Sequence, residues 1–188
     1  MSMGAVQIKV QLRGVSKPPV WRRIQVPENY TFWDMHVAIQ DAMGWEDGHL
    51  HEFEMHKGPG WAVRSMGMPD DDSPSVLPEW KQKIADWFSK ENPKALYTYD
   101  FGDDWQHEVK LEKVLPTEEN VKYPRFVTGK RACPPEDCGG IWGYEEILAG
   151  ESEFQEEYDE YDPEHFDCAE VYFTDAAKRL KLTLKMRS

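Results

Sequence analysis

No stretch of this chain approaches the roughly 20 consecutive apolar residues that a membrane-spanning helix needs, and the N-terminus lacks the charged-then-apolar layout of a secretory signal. The expectation is a soluble protein of the cytoplasm. Cysteine is scarce and odd in number (Cys133, Cys138 and Cys168), which does not make a disulfide framework, and a reducing compartment would keep all three as thiols. Basic residues are in deficit, 22 against 35 acidic ones, for a formal net charge of -13. A field of that sign repels phosphate backbones and anionic lipid, so nucleic acid and membrane are poor partners. No glycine cluster sits between a strand and a helix with a lysine or threonine in place, which excludes a nucleoside triphosphate loop. No repeat recurs at a fixed period.

What is present is apolar material enough for one core: 40% hydrophobic and 13% aromatic over 188 residues. Val6, Ile8, Val10 and Leu12 alternate with Gln7, Lys9 and Gln11, a strand with one buried face. Val20 to Val26 follows the turn signals Gly14 and Pro18-Pro19 as its hairpin partner. Thr31 with Asp34 three residues on caps a helix whose Phe32, Met35, Ile39 and Met43 form a stripe, and Gly44 stops it. His49 to Met55 reads as a strand with His49, His51, Phe53 and Met55 on one face. Residues 57–78, with glycines, prolines and the acidic run at 70–72, read as an exposed loop, and Trp80, Ile84, Trp87 and Phe88 as a short helix. Tyr97, Tyr99 and Phe101 lead into a Gly102-Asp103-Asp104 turn, and the return strand puts Trp105, His107, Val109 and Leu111 on one face. Beyond it come the stiff loop Cys133 to Gly140, a short helix around Tyr144 to Leu148, a solvated stretch from Glu151 to Asp167 with nine acids among 17 residues, and a helical segment from Cys168 to about Leu180. The expected fold class is α+β: a β-grasp-like sheet of about five strands, opened by a hairpin and a helix, with helical C-terminal additions. It forms a single domain over residues 1–188, with the sheet core at about 5–115 and the loop-and-helix region at about 116–188.

Three separated segments carry a resemblance. Val20-Trp21-Arg22-Arg23-Ile24 with Gly44-Trp45 and His49-Leu50-His51, then Tyr99-Asp100-Phe101-Gly102-Asp103-Asp104-Trp105-Gln106-His107, then Cys133 to Gly140 with Gly143-Tyr144, together resemble the plasmid pRiA4b ORF-3-like family, which also travels as a passenger of insertion sequences. The resemblance covers about residues 5 to 170. It implies a compact α+β fold from bacteria or archaea and brings no established activity with it.

The residues that invite chemistry are His49, His51, Asp100, Asp103, Asp104 and His107. Imidazole and carboxylate suit zinc, manganese or iron, and His-x-His sets both rings on one strand face. As a metal set the candidates are His49, His51 and His107, with zinc or manganese as the cofactor. The alternative is that Asp103 and Asp104 only shape the hairpin turn while the histidines hydrogen-bond within the core. Cys133 and Cys138 have zinc-pair spacing but would need two further ligands, for which Cys168, His165 or a distant histidine are the sources. Trp21 with Arg22, Arg23, Lys9 and Arg13 makes a small basic and aromatic patch. Two functions follow: a binding module for a small-molecule ligand or partner protein at the polar end of the sheet, or a metal-dependent hydrolase, for instance of phosphodiesters, using the His/Asp cluster.

Overall fold

The structure, a computed structural model, describes residues 4–71 and 73–187; the third aspartate of the 70–72 run lies outside them. Among the described residues the strands are β1 (Gly4–Ser16), β2 (Pro19–Pro27), β3 (His51–Lys57), β4 (Ala62–Gly67), β5 (Leu77–Pro78), β6 (Lys94–Tyr99), β7 (Trp105–Pro116) and β8 (Arg125–Lys130), and the helices are α1 (Phe32–Met43), α2 (Gly140–Ala149) and α3 (Ala176–Met186). The strands form one sheet in the order β5-β4-β3-β6-β7-β1-β2-β8. Every neighbouring pair is antiparallel except the short β4–β5 contact, which is parallel.

The period-two alternation of β1 produces the buried face it predicts: Val6, Ile8, Val10 and Leu12 are all buried and join Ile24, Val26, Val109, Met35 and Ile39 in one core. α1 starts where its capping box puts it. The Asp34 backbone N–H donates to Thr31 Oγ1 at 3.2 Å and the Thr31 N–H to Asp34 Oδ2 at 2.8 Å, while Gly44, in the left-handed region at φ 95°, closes the other end. Ten of its 12 residues are buried, more than one apolar stripe requires. The second face is covered by α3, whose Ala176 carbonyl accepts a hydrogen bond from Trp33 Nε1 at 2.8 Å, and by a 3-10 turn at Glu79–Lys81.

Several expectations are corrected. The sheet has eight strands instead of about five, because 62–67 and 77–78 pair within the segment read as a loop and β8 adds to β2 beyond residue 115. Trp80 to Phe88 is two 3-10 turns, Glu79–Lys81 and Ile84–Asp86, in place of a helix. The backbone between them is claimed by the entry to α1: Phe32 N–H donates to the Gln82 carbonyl at 3.0 Å and Ile84 N–H to the Tyr30 carbonyl at 2.9 Å. The last helix begins at Ala176, capped by the Asp175 side chain, and not at Cys168.

Arg22 does not belong to a basic patch either. Strand alternation turns it away from Trp21 and Arg23 into the core, where it is 1% exposed. Its Nε donates to the Ala42 carbonyl at 2.7 Å, and one terminal nitrogen to the Trp21 and Lys130 carbonyls at 2.9 and 3.0 Å; its guanidinium lies over the Phe166 ring at 3.9 Å. Burial lowers its pKa to about 10, and the negative end of α1 offsets that cost. Lys9 and Arg23 do flank Trp21 on the open face, each 5.2 Å from its ring, with Arg23 held by Glu112 at 2.6 Å.

Replacing Ile39, fully buried in α1 against the sheet, with Asp is expected to cost several kcal/mol, the penalty of an unpaired charge in the core. A thermal melt followed by circular dichroism checks this; an unchanged melting temperature contradicts the assigned face.

Candidate functional site

Strand β3 begins with His51 on the face that α1 covers, and there its ring lies flat on the ring of His36, with centroids 3.3 Å apart and planes 4° from parallel. His51 Nε2 sits 2.9 and 3.0 Å from the two carboxylate oxygens of Glu79, itself fully buried in the 3-10 turn. His36 uses both ring nitrogens: Nδ1 is 2.8 Å from the Tyr97 hydroxyl and Nε2 is 2.8 Å from Asp47 Oδ1. Directions follow from what each atom can do. The ionised Asp47 carboxylate only accepts, so the one proton of a neutral His36 sits on Nε2 and is donated to Asp47. Nδ1 then accepts from the Tyr97 hydroxyl, whose oxygen accepts from Gln40 Nε2 at 2.9 Å. Neutrality is what burial imposes, since desolvation, helped by His51, lowers the His36 pKa to about 4. Burial works to raise the Asp47 carboxyl, but the His36 hydrogen bond and the Arg179 guanidinium outweigh it and hold Asp47 below its ordinary value. Arg179 of α3 also reaches Asp41 at 3.1 Å, pinning that helix to α1.

Two residues earlier, His49 lies at a different point of the same end of the sheet. Its Nε2 is 3.1 Å from Asp137 and 3.9 Å from Glu136, and its Nδ1 is 3.8 Å from Asp100. Glu136 accepts from the Glu46 N–H at 2.8 Å and from the Tyr99 hydroxyl at 3.2 Å. Asp100 accepts from the Gly102 N–H at 2.9 Å and shapes the β6–β7 turn, and Asp103 accepts from the Gly139 N–H at 3.2 Å, tying that turn to the loop of Cys133 to Gly140. Here glycine is required: at Gly140, with φ 68°, a Cβ would meet the Asp103 carbonyl oxygen at 2.5 Å. Asp104 accepts from the Gln106 side chain at 3.1 Å and closes the turn through its backbone N–H, which donates to the Asp100 carbonyl at 2.7 Å.

His107 stands apart from both groups. Strand β6 separates β7 from β3, which puts two strand spacings, about 9.6 Å, between His107 and the His51 strand. His107 is fully buried, edge-on to Trp45 and beside Tyr97; its Nδ1 is 3.3 Å from the Tyr97 carbonyl and its Nε2 has no partner among the described residues. Desolvation lowers its pKa to about 4. The six candidate residues therefore divide. His49 and Asp100 come together with Asp137 and Glu136; His51 goes instead to His36, Asp47 and Glu79; Asp103 and Asp104 hold the turn; His107 serves the core. His49, His51 and His107 do not share one metal position. All three cysteines are free, and burial pushes Cys133 and Cys138 up to about 12, which leaves neither of those two as a nucleophilic thiolate.

The two groups meet at a cleft of about 400 Å³ between the lead-in to β3 and the last turn of α3. Asp47, His49 and His51 form its polar side, and Trp33, Leu50 and Met186 its apolar side. Leu50 is 48% and Met186 87% exposed. A second depression, also about 400 Å³, lies on the open sheet face by Arg13, Lys94 and Glu108, where Lys94 meets Glu108 at 2.7 Å and Arg13 meets Gln106 at 3.0 Å. His36 and Asp47 were absent from the sequence candidates; their one signal was His36 and Gln40 at helical spacing beside an apolar stripe.

Comparison with known proteins places this geometry in context. The family model described as plasmid pRiA4b ORF-3-like protein matches residues 4–174. An uncharacterized protein, y4hQ of Sinorhizobium fredii (strain NBRC 101917 / NGR234), is 34% identical over 149 residues, covering 78% of this chain and 73% of that protein. The crystal structure of MM3350, a protein of unknown function from Methanosarcina mazei Go1, superposes with a TM-score of 0.84 at 48% identity, covering 92% of this chain and 99% of that one.

The buried state of His107 sets a pH dependence. Its folded pKa of about 4 lies below the ordinary 6.5, so between those values the unfolded chain binds a proton that the folded chain does not, and stability falls as pH falls through that window. The full contribution, on the order of 3 kcal/mol, is lost below about pH 4. A His107→Phe variant, similar in shape and unable to titrate, is expected to show a correspondingly shallower loss between pH 6.5 and 4 in urea titrations; parallel profiles for the two proteins contradict the buried neutral imidazole.

Proposed function

This chain belongs to the plasmid pRiA4b ORF-3-like protein family, and we propose that it acts as a binding module whose ligand occupies the cleft between α3 and the lead-in to β3. The observation that carries this reading is the position of the His36, His51, Asp47 and Glu79 network: two of its members, Asp47 and His51, border the cleft while the other two are buried behind them and fix their orientation. A polar group held in this way is pre-organised, so little freedom is lost when a ligand engages it. The lining asks for a ligand with an apolar body, to lie along Trp33, Leu50 and Met186, and a hydrogen-bond-donating head for Asp47, the one carboxylate of a lining that also includes Arg187. A small molecule or the end of a partner's chain meets that description. A hairpin followed by a helix laid across one face is what the β-grasp-like reading rests on, and sheets of that kind often serve binding, which is support by analogy. Free thiols and the lack, among the described residues, of any helix long and apolar enough to cross a membrane fit residence in the cytoplasm.

The second reading, a metal-dependent hydrolase, draws on His49, Asp100 and Asp137, which bring one imidazole and two carboxylates from three chain segments within 4.8 Å of one another. The excess of carboxylates around them disfavours a phosphodiester substrate, which is why binding is preferred.

Ligand-observed NMR with a fragment library tests the binding reading. Fragments with an apolar ring and an amine are expected to compete for one site, and Leu50→Arg, at a half-exposed position on the cleft rim, is expected to weaken them about tenfold or more without changing the melting temperature. Unaltered binding to Leu50→Arg, or no competing set of fragments, contradicts it.

A further inference from the structure

The stacked histidines stand between two acidic side chains. His36 Nε2 is 2.8 Å from Asp47 and His51 Nε2 is 2.9 Å from Glu79, which is fully buried, and Arg179 is the single Lys or Arg side chain ion-paired with either carboxylate among the described residues. Imidazole and carboxylate are the donor types that a transition-metal cation of the zinc class takes.

The donor atoms lie close enough to converge on one once the His51 ring tilts. A ligand atom from each of His36, Asp47 and His51 lies within 4.8 Å of the other two, and Glu79 reaches His51 Nε2 at 2.9 Å. We propose that His36, Asp47 and His51, supported by Glu79, bind one divalent transition-metal cation of the zinc class in the floor of the cleft. This goes beyond the cleft ligand and does not depend on it. Two imidazoles with carboxylates select zinc or cobalt over calcium or magnesium, which take oxygen ligands. Bonds of about 2.1 Å in a tetrahedron separate ligand atoms by about 3.4 Å, so the 2.8 Å contact between His36 and Asp47 opens by about half an ångström and the longer separations close.

Two consequences distinguish a bound metal from a plain hydrogen-bond network. A metal lies near the plane of each ring that binds it, and two parallel rings 3.3 Å apart cannot both point at one ion; His51, which borders the cleft, is the ring that tilts. The metal also takes the place of the proton on His36 Nε2. That proton leaves to solvent and another is taken up at Nδ1, so His36 stays neutral with its tautomer reversed. Nδ1–H then donates to the Tyr97 oxygen, and the Tyr97 hydroxyl, released, can donate to Gln40 Oε1 once that amide turns over; this oxygen is buried and without a partner in the metal-free arrangement.

The test uses the full chain without a histidine tag, stripped with a chelator and titrated with Co(II). One equivalent is expected to bind with the intense visible bands of a four-coordinate site and to be displaced by Zn(II). His51→Gln is expected to weaken binding by about 100-fold or more, whereas His49→Ala leaves it unchanged. Absence of the bands at one equivalent overturns the proposal, and so does loss of binding in His49→Ala alone, which would move the metal to the Asp100 and Asp137 group. Should His51→Gln fail to fold, nitrogen-detected NMR of the wild-type chain decides: His36 changes from the Nε2–H to the Nδ1–H tautomer on adding Zn(II), and an unchanged tautomer overturns the assignment.

Discussion

The contact between the faces of His36 and His51 is where the separate parts of this molecule are joined. One ring comes from α1 and the other from the first residue of β3, so the stack fixes the helix against the middle of the sheet. The edges of the rings do the rest. Through Asp47 and Arg179 the His36 edge holds α3, and through Glu79 the His51 edge holds the turn that covers the far side of α1. Tyr97, on the strand between β3 and β7, receives Gln40 and supplies His36 from beneath. A buried network of this kind is worth most when every member is satisfied, because each partner removed leaves a desolvated group at a cost of about 1 to 3 kcal/mol. Stability and the shape of the cleft therefore depend on the same few atoms.

That arrangement also explains why α3, with no fully buried residue of its own, stays on the domain. It is attached by polar contacts at defined points, Arg179 to Asp41 and Asp47, Thr174 to Asp41 at 2.7 Å and Trp33 to Ala176, and its last turn forms one wall of the cleft. A helix held by an apolar stripe would have closed that space.

Much of the frame was legible because it rests on local rules. Alternation in β1, the Thr31 and Asp34 capping box with Gly44 at the other end, and the Gly102 turn each follow from residues close in sequence. What was not legible rests on partners far along the chain. Ile84 and Trp87 are buried as their spacing suggests, yet the backbone is drawn into pairing with residues 30–32 and cannot complete a helix. β4 is mostly exposed at its start, Ala62 to Arg64, and so shows no apolar alternation. Arg22 looks like one of a basic pair until β8 and the end of α1 supply carbonyls to receive it. In the candidate site, His49 and Asp100 could be brought together by reasoning about the strand and the turn, whereas His36 lies on a helix face that becomes polar only because His51 and Asp47 arrive from elsewhere. His51 and His107 do share a sheet face, but His49 precedes β3, which starts at His51 and not at His49 as the alternation suggested, and strand order, with β6 between β3 and β7, was needed to see that a common face is not a common point.

The central claim is that the network is ordered in one direction, with Gln40 donating to Tyr97, Tyr97 to His36 Nδ1, and His36 Nε2 to Asp47. Neutron diffraction from a deuterium-exchanged, metal-free crystal at neutral pH observes those hydrogens directly. The account predicts the His36 and His51 rings in parallel contact, a deuteron on His36 Nε2 facing Asp47, none on Nδ1, and the Tyr97 deuteron pointing at Nδ1. A deuteron on Nδ1, a doubly protonated His36, or rings that stand apart would contradict it.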